Sequence, residues 1–418
     1  MLVAPVDGAG ARAGSVLTLH RGSSPAERPD GVPATLTLLH ATEVRLRKTP
    51  DRAAYGLAAR GVMPVSELHR GDLVEVKSPA EILATLDGGG DLEGLPFMPE
   101  MAAYCGRRFK VRARADKVCD TVSFTGSRRI PSVVLLDDLR CDGCAHGGCQ
   151  SECRFFWKEA WLEKVSPDAA ARPRFPESDR ALLFERTARH VSSTGQVDGK
   201  EQILYRCQGT EVANYSQHLR TFDPRPYVRE LASGDVSLTR FLRVMAKAAV
   251  IEPKRKLGLV PDVLTGNAGR SNSVEALDLQ VGELVRVKSR EEIIKTLTPK
   301  GTTSGLRFDH EMFAYCGRSF RVRARIRRCI HEVKRVMVEL KTEAVILEGA
   351  ACEGDCNPAR WFCPRGIYPF WRECWLERME PPRVAAGPRP PRVQRDSVQA
   401  SEHRPMLSLS AQESGDCS

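Results

Sequence analysis

Apolar and polar positions alternate in short runs along this chain, and the runs come in matching sets. Leu73–Val76 alternates, as does 109–114, where Phe109, Val111 and Ala113 point one way and Lys110, Arg112 and Arg114 the other. Residues 284–287 and 320–325 repeat both patterns, with Phe320, Val322 and Ala324 opposing Arg321, Arg323 and Arg325. Period-two alternation predicts half-buried strands with one wet face. Residues 132–136 and 343–347 read as further strands, each leading into a cysteine cluster. Between the first two strands, 78–86 predicts a short helix, with Ser78 as N-cap, Pro79 in the first turn and Glu81 completing a capping box. Ser289 and Glu292 keep that cap, and Ile293 and Leu297 keep the apolar face, although Arg290 replaces the proline.

The matching sets share one offset. Gly-Asp-Leu-Val-Glu-Val-Lys-Ser at 71–78 returns as Gly-Glu-Leu-Val-Arg-Val-Lys-Ser at 282–289, and Ala-Tyr-Cys-Gly-Arg at 103–107 returns at 314–318. A displacement of 211 residues is a domain duplication rather than a solenoid period. Residues 65–165 and 274–379 are each long enough for one small core. Short strands, one helical turn and glycine-rich connections predict a mainly β chain with some α: tandem duplicated small SH3-like β-barrels. Residues 175–260 read as an α/β linking segment. It carries a strand at 202–207, a helix from Asp223-Pro224 to near Gly234, and a second helix after Asp235. That second helix places Leu238, Phe241, Leu242, Met245 and Ala248 on one face. No basic recognition face stands out, so the helix pair reads as a packing hairpin rather than a DNA-binding one. Residues 1–60, with a short strand at 34–39, and 381–418 read as disordered on their Gly, Ala, Arg, Pro and Ser content.

Cysteine supplies the candidate chemistry. Cys141, Cys144, Cys149 and Cys153, with His146 among them, form the first cluster, and Cys352, Cys356, Cys363 and Cys374 follow in the second repeat. Close spacing with glycine lets thiolates converge on one ion, and tetrahedral zinc takes four Cys or His ligands. Cys105 and Cys316 sit on the repeated Tyr-Cys-Gly-Arg turn. The expected sites are therefore Cys105, Cys141, Cys144 and Cys149, and Cys316, Cys352, Cys356 and Cys363. His146, Cys153 and Cys374 are substitutes, and about two zinc ions per chain are expected. Buried free thiols, redox pairs and an iron–sulfur cluster remain open alternatives.

The longest apolar runs fall far short of the roughly 20 residues of a membrane span. The start of the chain shows no basic region followed by an apolar core, so a cytoplasmic location is expected. The net charge of +10 permits nucleic-acid or anionic-polymer partners, but the interleaved acids place nucleic acid behind a protein or anionic-polymer partner. Arg112, Arg114, Arg323 and Arg325 would form the exposed basic track for nucleic acid. Partner binding is expected between the repeats, facing Arg107 and Arg318. Phe-Trp-Lys-Glu-Ala-Trp-Leu-Glu at 156–163 returns as Phe-Trp-Arg-Glu-Cys-Trp-Leu-Glu at 370–377; its tryptophans read as core, and Glu159 and Glu373 as salt-bridge partners of Arg107 and Arg318. Phosphate-loop, dinucleotide, zinc-protease and nucleophile-elbow motifs are missing from the sequence, and no His is common to both repeats. The primary reading is a non-catalytic, zinc-stapled scaffold or binding protein.

Tyr-Cys-Gly-Arg-Arg-Phe at 104–109, His-Gly-Gly-Cys-Gln at 146–150, Phe-Trp-Lys-Glu-Ala-Trp-Leu at 156–162 and Tyr-Arg-Cys-Gln-Gly-Thr-Glu at 205–211 resemble the motifs of an uncharacterised bacterial family with a duplicated Cys-rich domain. The resemblance spans residues 65–379. It implies no named activity, only a setting among polysaccharide or natural-product biosynthesis genes, and the alternative function is accordingly an enzyme or enzyme accessory of that biosynthesis. The second repeat lacks His-Gly-Gly-Cys-Gln, which separates His146 from any role the two repeats share.

Overall fold

The alternating runs pair as their wet and dry faces require. The computed structural model describes residues 67–379, apart from 171, 173–174, 221–222, 260–263 and 270–275. The terminal segments, and the strand expected at 34–39, lie outside the described residues. The first repeat forms a five-stranded sheet in the order Trp157–Lys158, Val133–Leu136, Arg108–Arg114, Leu73–Val76, Leu162–Lys164. The second forms a four-stranded sheet in the order Val336–Leu347, Ser319–His331, Leu284–Val287, Leu376–Arg378. Registers correspond: Leu73 faces Lys110 and Leu284 faces Arg321, while Val74 faces Lys164 and Val285 faces Arg378. An isolated bridge from Val345 to Trp371 stands where Val134 pairs with Trp157. Both sheets are open, half-barrel arrangements among the described strands.

The capping boxes form as read. Ser78 accepts from Glu81 N while Glu81 caps Ser78 N, and Ser289 and Glu292 do the same, starting helices Pro79–Leu83 and Arg290–Thr296. Trp157, Trp161, Trp371 and Trp375 are fully buried, with Phe97 and Phe308 edge-on to Trp161 and Trp375 at 5.1 Å. Each inner indole N–H is satisfied, Trp161 by Thr85 at 3.0 Å and Trp375 by Thr296 at 2.9 Å. The tryptophans therefore seal cores and offer no stacking platform.

The two sheets are not independent beads. Cys149 packs within the core of the second repeat, and Cys363 within that of the first. Each repeat sends a hairpin onto the other's cysteine loop. Lys117 donates to Trp361 O at 2.5 Å, and Gln150 N donates to Arg328 O at 3.2 Å. In the linking segment, helix Glu177–Ala188 lies against the first repeat, and hairpin Ser192–Val197/Lys200–Tyr205 joins the second through Tyr205 N to Arg335 O at 2.6 Å.

Three expectations change. The second linking helix, Leu238–Lys256, is capped by Ser237, and it buries Val244 while leaving Leu238 and Leu242 of the expected apolar face exposed. Its seat is the second cysteine loop, where Phe241 stacks on Phe362 at 5.5 Å and Arg240 pairs with Asp355 at 2.8 Å. Arg114 is buried, not on the wet face, because Leu68 O, Asp116 and Glu159 close around its guanidinium, whereas Arg325, after the same register shift in its own strand, stays near the surface. Glu159 consequently pairs with Arg114 at 2.7 Å, and Glu373 accepts the backbone N–H groups of Leu277, Asp278 and Leu279. Arg107 and Arg318 instead stack on Tyr104 and Phe109, and on Tyr315 and Phe320.

Candidate metal centre

The first cysteine loop leaves strand Val133–Leu136 and folds back on itself at Gly143. That residue has φ +77°, and a Cβ there would lie 2.1 Å from Cys149 O. Gly354 makes the equivalent turn at φ +71°, with a Cβ 2.3 Å from Arg360 O. Only glycine permits so close an approach in this backbone region. Beneath the first loop, the turn Pro99–Tyr104 presents Glu100, whose Oε1 accepts from Ala145 N at 3.0 Å.

Glu100 then meets His146, Oε1 to Nδ1 at 2.9 Å, and His146 Nε2 lies 3.5 Å from Cys141 Sγ. The ligand atoms of Glu100, Cys141 and His146 all lie within 4.8 Å of one another, the one such group among the described residues. The 2.9 Å approach is not aligned as a hydrogen bond, and His146 Nδ1 and Glu100 Oε2 are both buried with no hydrogen-bond partner. Burial pushes the Glu100 carboxyl up, but the imidazole beside it outweighs that effect and holds it below the usual range. In the second repeat Glu311 accepts Cys356 N at 2.9 Å, but an Arg360–Asp309 ion pair at 2.7 Å replaces the histidine contact. Burial there raises the Glu311 carboxyl.

The expected ligand sets are only partly assembled. Cys141, Cys149 and Cys153 line one cavity with His146. Cys144 is exposed on the loop. Cys105 is buried in the first core, away from that cavity, beneath a helix whose Arg180 donates to its carbonyl at 3.4 Å. The repeated turn packs its sulfur inward, so Cys105 does not join Cys141, Cys144 and Cys149. In the second repeat Cys352 lines a cavity with Tyr315 and Phe370. Cys363 accepts Cys119 N–H at 3.2 Å, and Cys356 accepts from Lys247 at 3.6 Å. Cys316 and Cys374 are half-buried at the edge of the second core and line neither cavity.

Two sulfurs reach these cavities without having been expected there. Cys207, from the linking segment, lines the first cavity, and Cys119, from the first repeat's hairpin, lines the second. Cys207 sits in the Tyr-Arg-Cys-Gln-Gly-Thr-Glu run, a signal available in the sequence; Cys119 has no neighbouring cysteine to mark it. Burial pushes the Cys105 and Cys207 thiols up to about 12 and that of Cys356 to about 11, and it raises Cys141, Cys153 and Cys352 as well. Cys119 runs the other way, down to about 6, through its hydrogen bond with Cys363, whose own thiol is raised by burial.

Comparison with family models, with curated proteins and with solved structures finds no match. No helix among the described residues is long and apolar enough to cross a membrane.

Proposed function

We propose that this chain is a non-catalytic scaffold or binding protein built of two duplicated SH3-like units, each stapled by a metal ion, with zinc as the ion. The convergence of Glu100, Cys141 and His146, with buried polar atoms left unsatisfied between them, carries this reading. Units this small gain from such a staple because metal-binding free energy becomes folding free energy. Exposed arginines stacked on aromatic rings, Arg107 on Tyr104 and Arg318 on Tyr315, suit a protein or anionic-polymer partner. Elemental analysis of the purified chain is expected to return about two zinc ions, one per repeat. Less than half an equivalent of any thiophilic metal, with thiols titrating freely in the native state, would sink the reading.

The order Glu100, His146, Cys141 also favours a second reading, an enzyme or enzyme accessory in polysaccharide or natural-product biosynthesis. A carboxylate orienting an imidazole toward a thiol is the arrangement that activates a cysteine nucleophile. Under this reading Cys141→Ser and His146→Ala keep the fold and metal content and lose reactivity toward iodoacetamide at position 141. Loss of metal with either variant instead supports the scaffold.

A further inference from the structure

Four thiols from two distant segments surround the first cavity. Cys141, Cys149 and Cys153 come from one loop, and Cys207 comes from the run after the linking hairpin. None is in a disulfide. Cys149 belongs to the second core and Cys141 and Cys207 pack against the first, but polar groups reach into the same cavity. Cys149 Sγ accepts the backbone N–H of Ile330 at 3.4 Å. Arg154 lines the same cavity with Nε and Nη1 buried and lacking any hydrogen-bond partner. Buried guanidinium nitrogens are normally paired; Glu152 and Glu332 also line the cavity but neither bonds Nε or Nη1, which leaves these nitrogens open to a further negative charge at the sulfurs. Four thiolates around a divalent ion supply one, since the assembly carries a net charge of about −2.

We propose that Cys141, Cys149, Cys153 and Cys207 are the ligands of one thiophilic metal centre in the first repeat, with His146 and Glu100 standing behind Cys141. This rests on the metal-stapled reading above and extends it, because the centre then ties the linking segment to the first repeat. Glu100 lies against His146 and His146 against Cys141, so the imidazole can hold the Cys141 sulfur in orientation, as polar groups behind metal ligands do. A single zinc and an iron–sulfur cluster share this thiolate chemistry. The four sulfurs ring the cavity more widely than the 4.8 Å spacing of the Glu100 group. They close in around one ion or stay apart around a cluster.

The test measures zinc, iron and acid-labile sulfide in the full chain and in single variants. Cys153→Ser and Cys207→Ser are expected to lose the whole first centre, about one zinc, or all of its iron together with the sulfide. Cys105→Ala is expected to lose none. If Cys207→Ser fails to fold, Cys207→His decides: it keeps a donor, and in cobalt-loaded protein the first centre's share of the thiolate-to-metal charge-transfer band should weaken by roughly a quarter as one of its four thiolates is lost. Metal content and cobalt spectrum unchanged by both Cys207 variants would overturn the ligand set while leaving a metal-stapled scaffold standing. A wild-type chain free of all three elements would remove the scaffold reading itself.

Discussion

Arg114→Ala is expected to destabilise the chain by about 3–5 kcal/mol, read as a lower urea midpoint, whereas Arg325→Ala at the equivalent position should move the midpoint little. Arg114 is 5 % exposed and meets Glu159 at 2.7 Å, Asp116 at 3.1 Å and Leu68 O at 2.5 Å. Removing it leaves Glu159 without a counter-charge, holding only the Leu68 N–H at 3.3 Å, and leaves Asp116 only the half-buried Arg129 at 3.3 Å. An uncompensated buried carboxylate is the costly case, well above the modest net value of the intact pair. Arg325 pairs with Asp278 at 2.7 Å and Glu343 at 2.6 Å, near the surface, where water takes over when the pair is broken. Glu373, the counterpart of Glu159, needs no arginine because three backbone N–H groups at 2.7–3.0 Å already hold it. Equal losses from the two variants would show that the repeats solve this buried carboxylate in the same way after all.

That contrast marks where the sequence was readable. Strand positions, the two capping boxes and the buried tryptophans followed from alternation, N-cap chemistry and the repeated Phe-Trp run, all of them local signals. The burial of Arg114 did not, because it is the tertiary packing of Leu68, Asp116 and Glu159 around its guanidinium that covers it, while Arg325 stays near the surface after the same register shift. Cys105 was grouped with the loop cysteines because spacing reveals proximity along the chain and nothing about which way a turn aims its sulfur. Cys119 and Cys207 reach the two cavities only through tertiary packing, Cys119 by the hairpin that crosses to Cys363 and Cys207 through the linking segment. The spacing along Leu238–Lys256 implies a helix, but the face it buries is set by Phe362, a residue more than a hundred positions away, and leaves Leu238 and Leu242 exposed.

Gly143→Ala and Gly354→Ala should each cost about 3 kcal/mol or more and release metal from their own repeat, while Gly71→Ala and Gly282→Ala should cost only about 1–2 kcal/mol and leave metal bound. All four glycines have φ between +71° and +89°, so the intrinsic penalty of a side chain in that backbone region is shared. What differs is the space. A Cβ at Gly71 or Gly282 meets nothing within 4 Å, whereas at Gly143 it falls 2.1 Å from Cys149 O and 2.6 Å from Cys149 N. At Gly354 it falls 2.3 Å from Arg360 O and 3.0 Å from Cys363 N. Backbone atoms cannot rotate aside as a side chain can, so the loop has to open and carry Cys149 or Cys363 with it. Those sulfurs accept the N–H of Ile330 and of Cys119 from the opposite repeat, so opening the loop also breaks the contact between repeats. Thermal unfolding and metal analysis of the four variants check this together. Should Gly143→Ala lose stability no faster than Gly71→Ala and keep its metal, the tight return of the loop onto Cys149 is not what holds the centre.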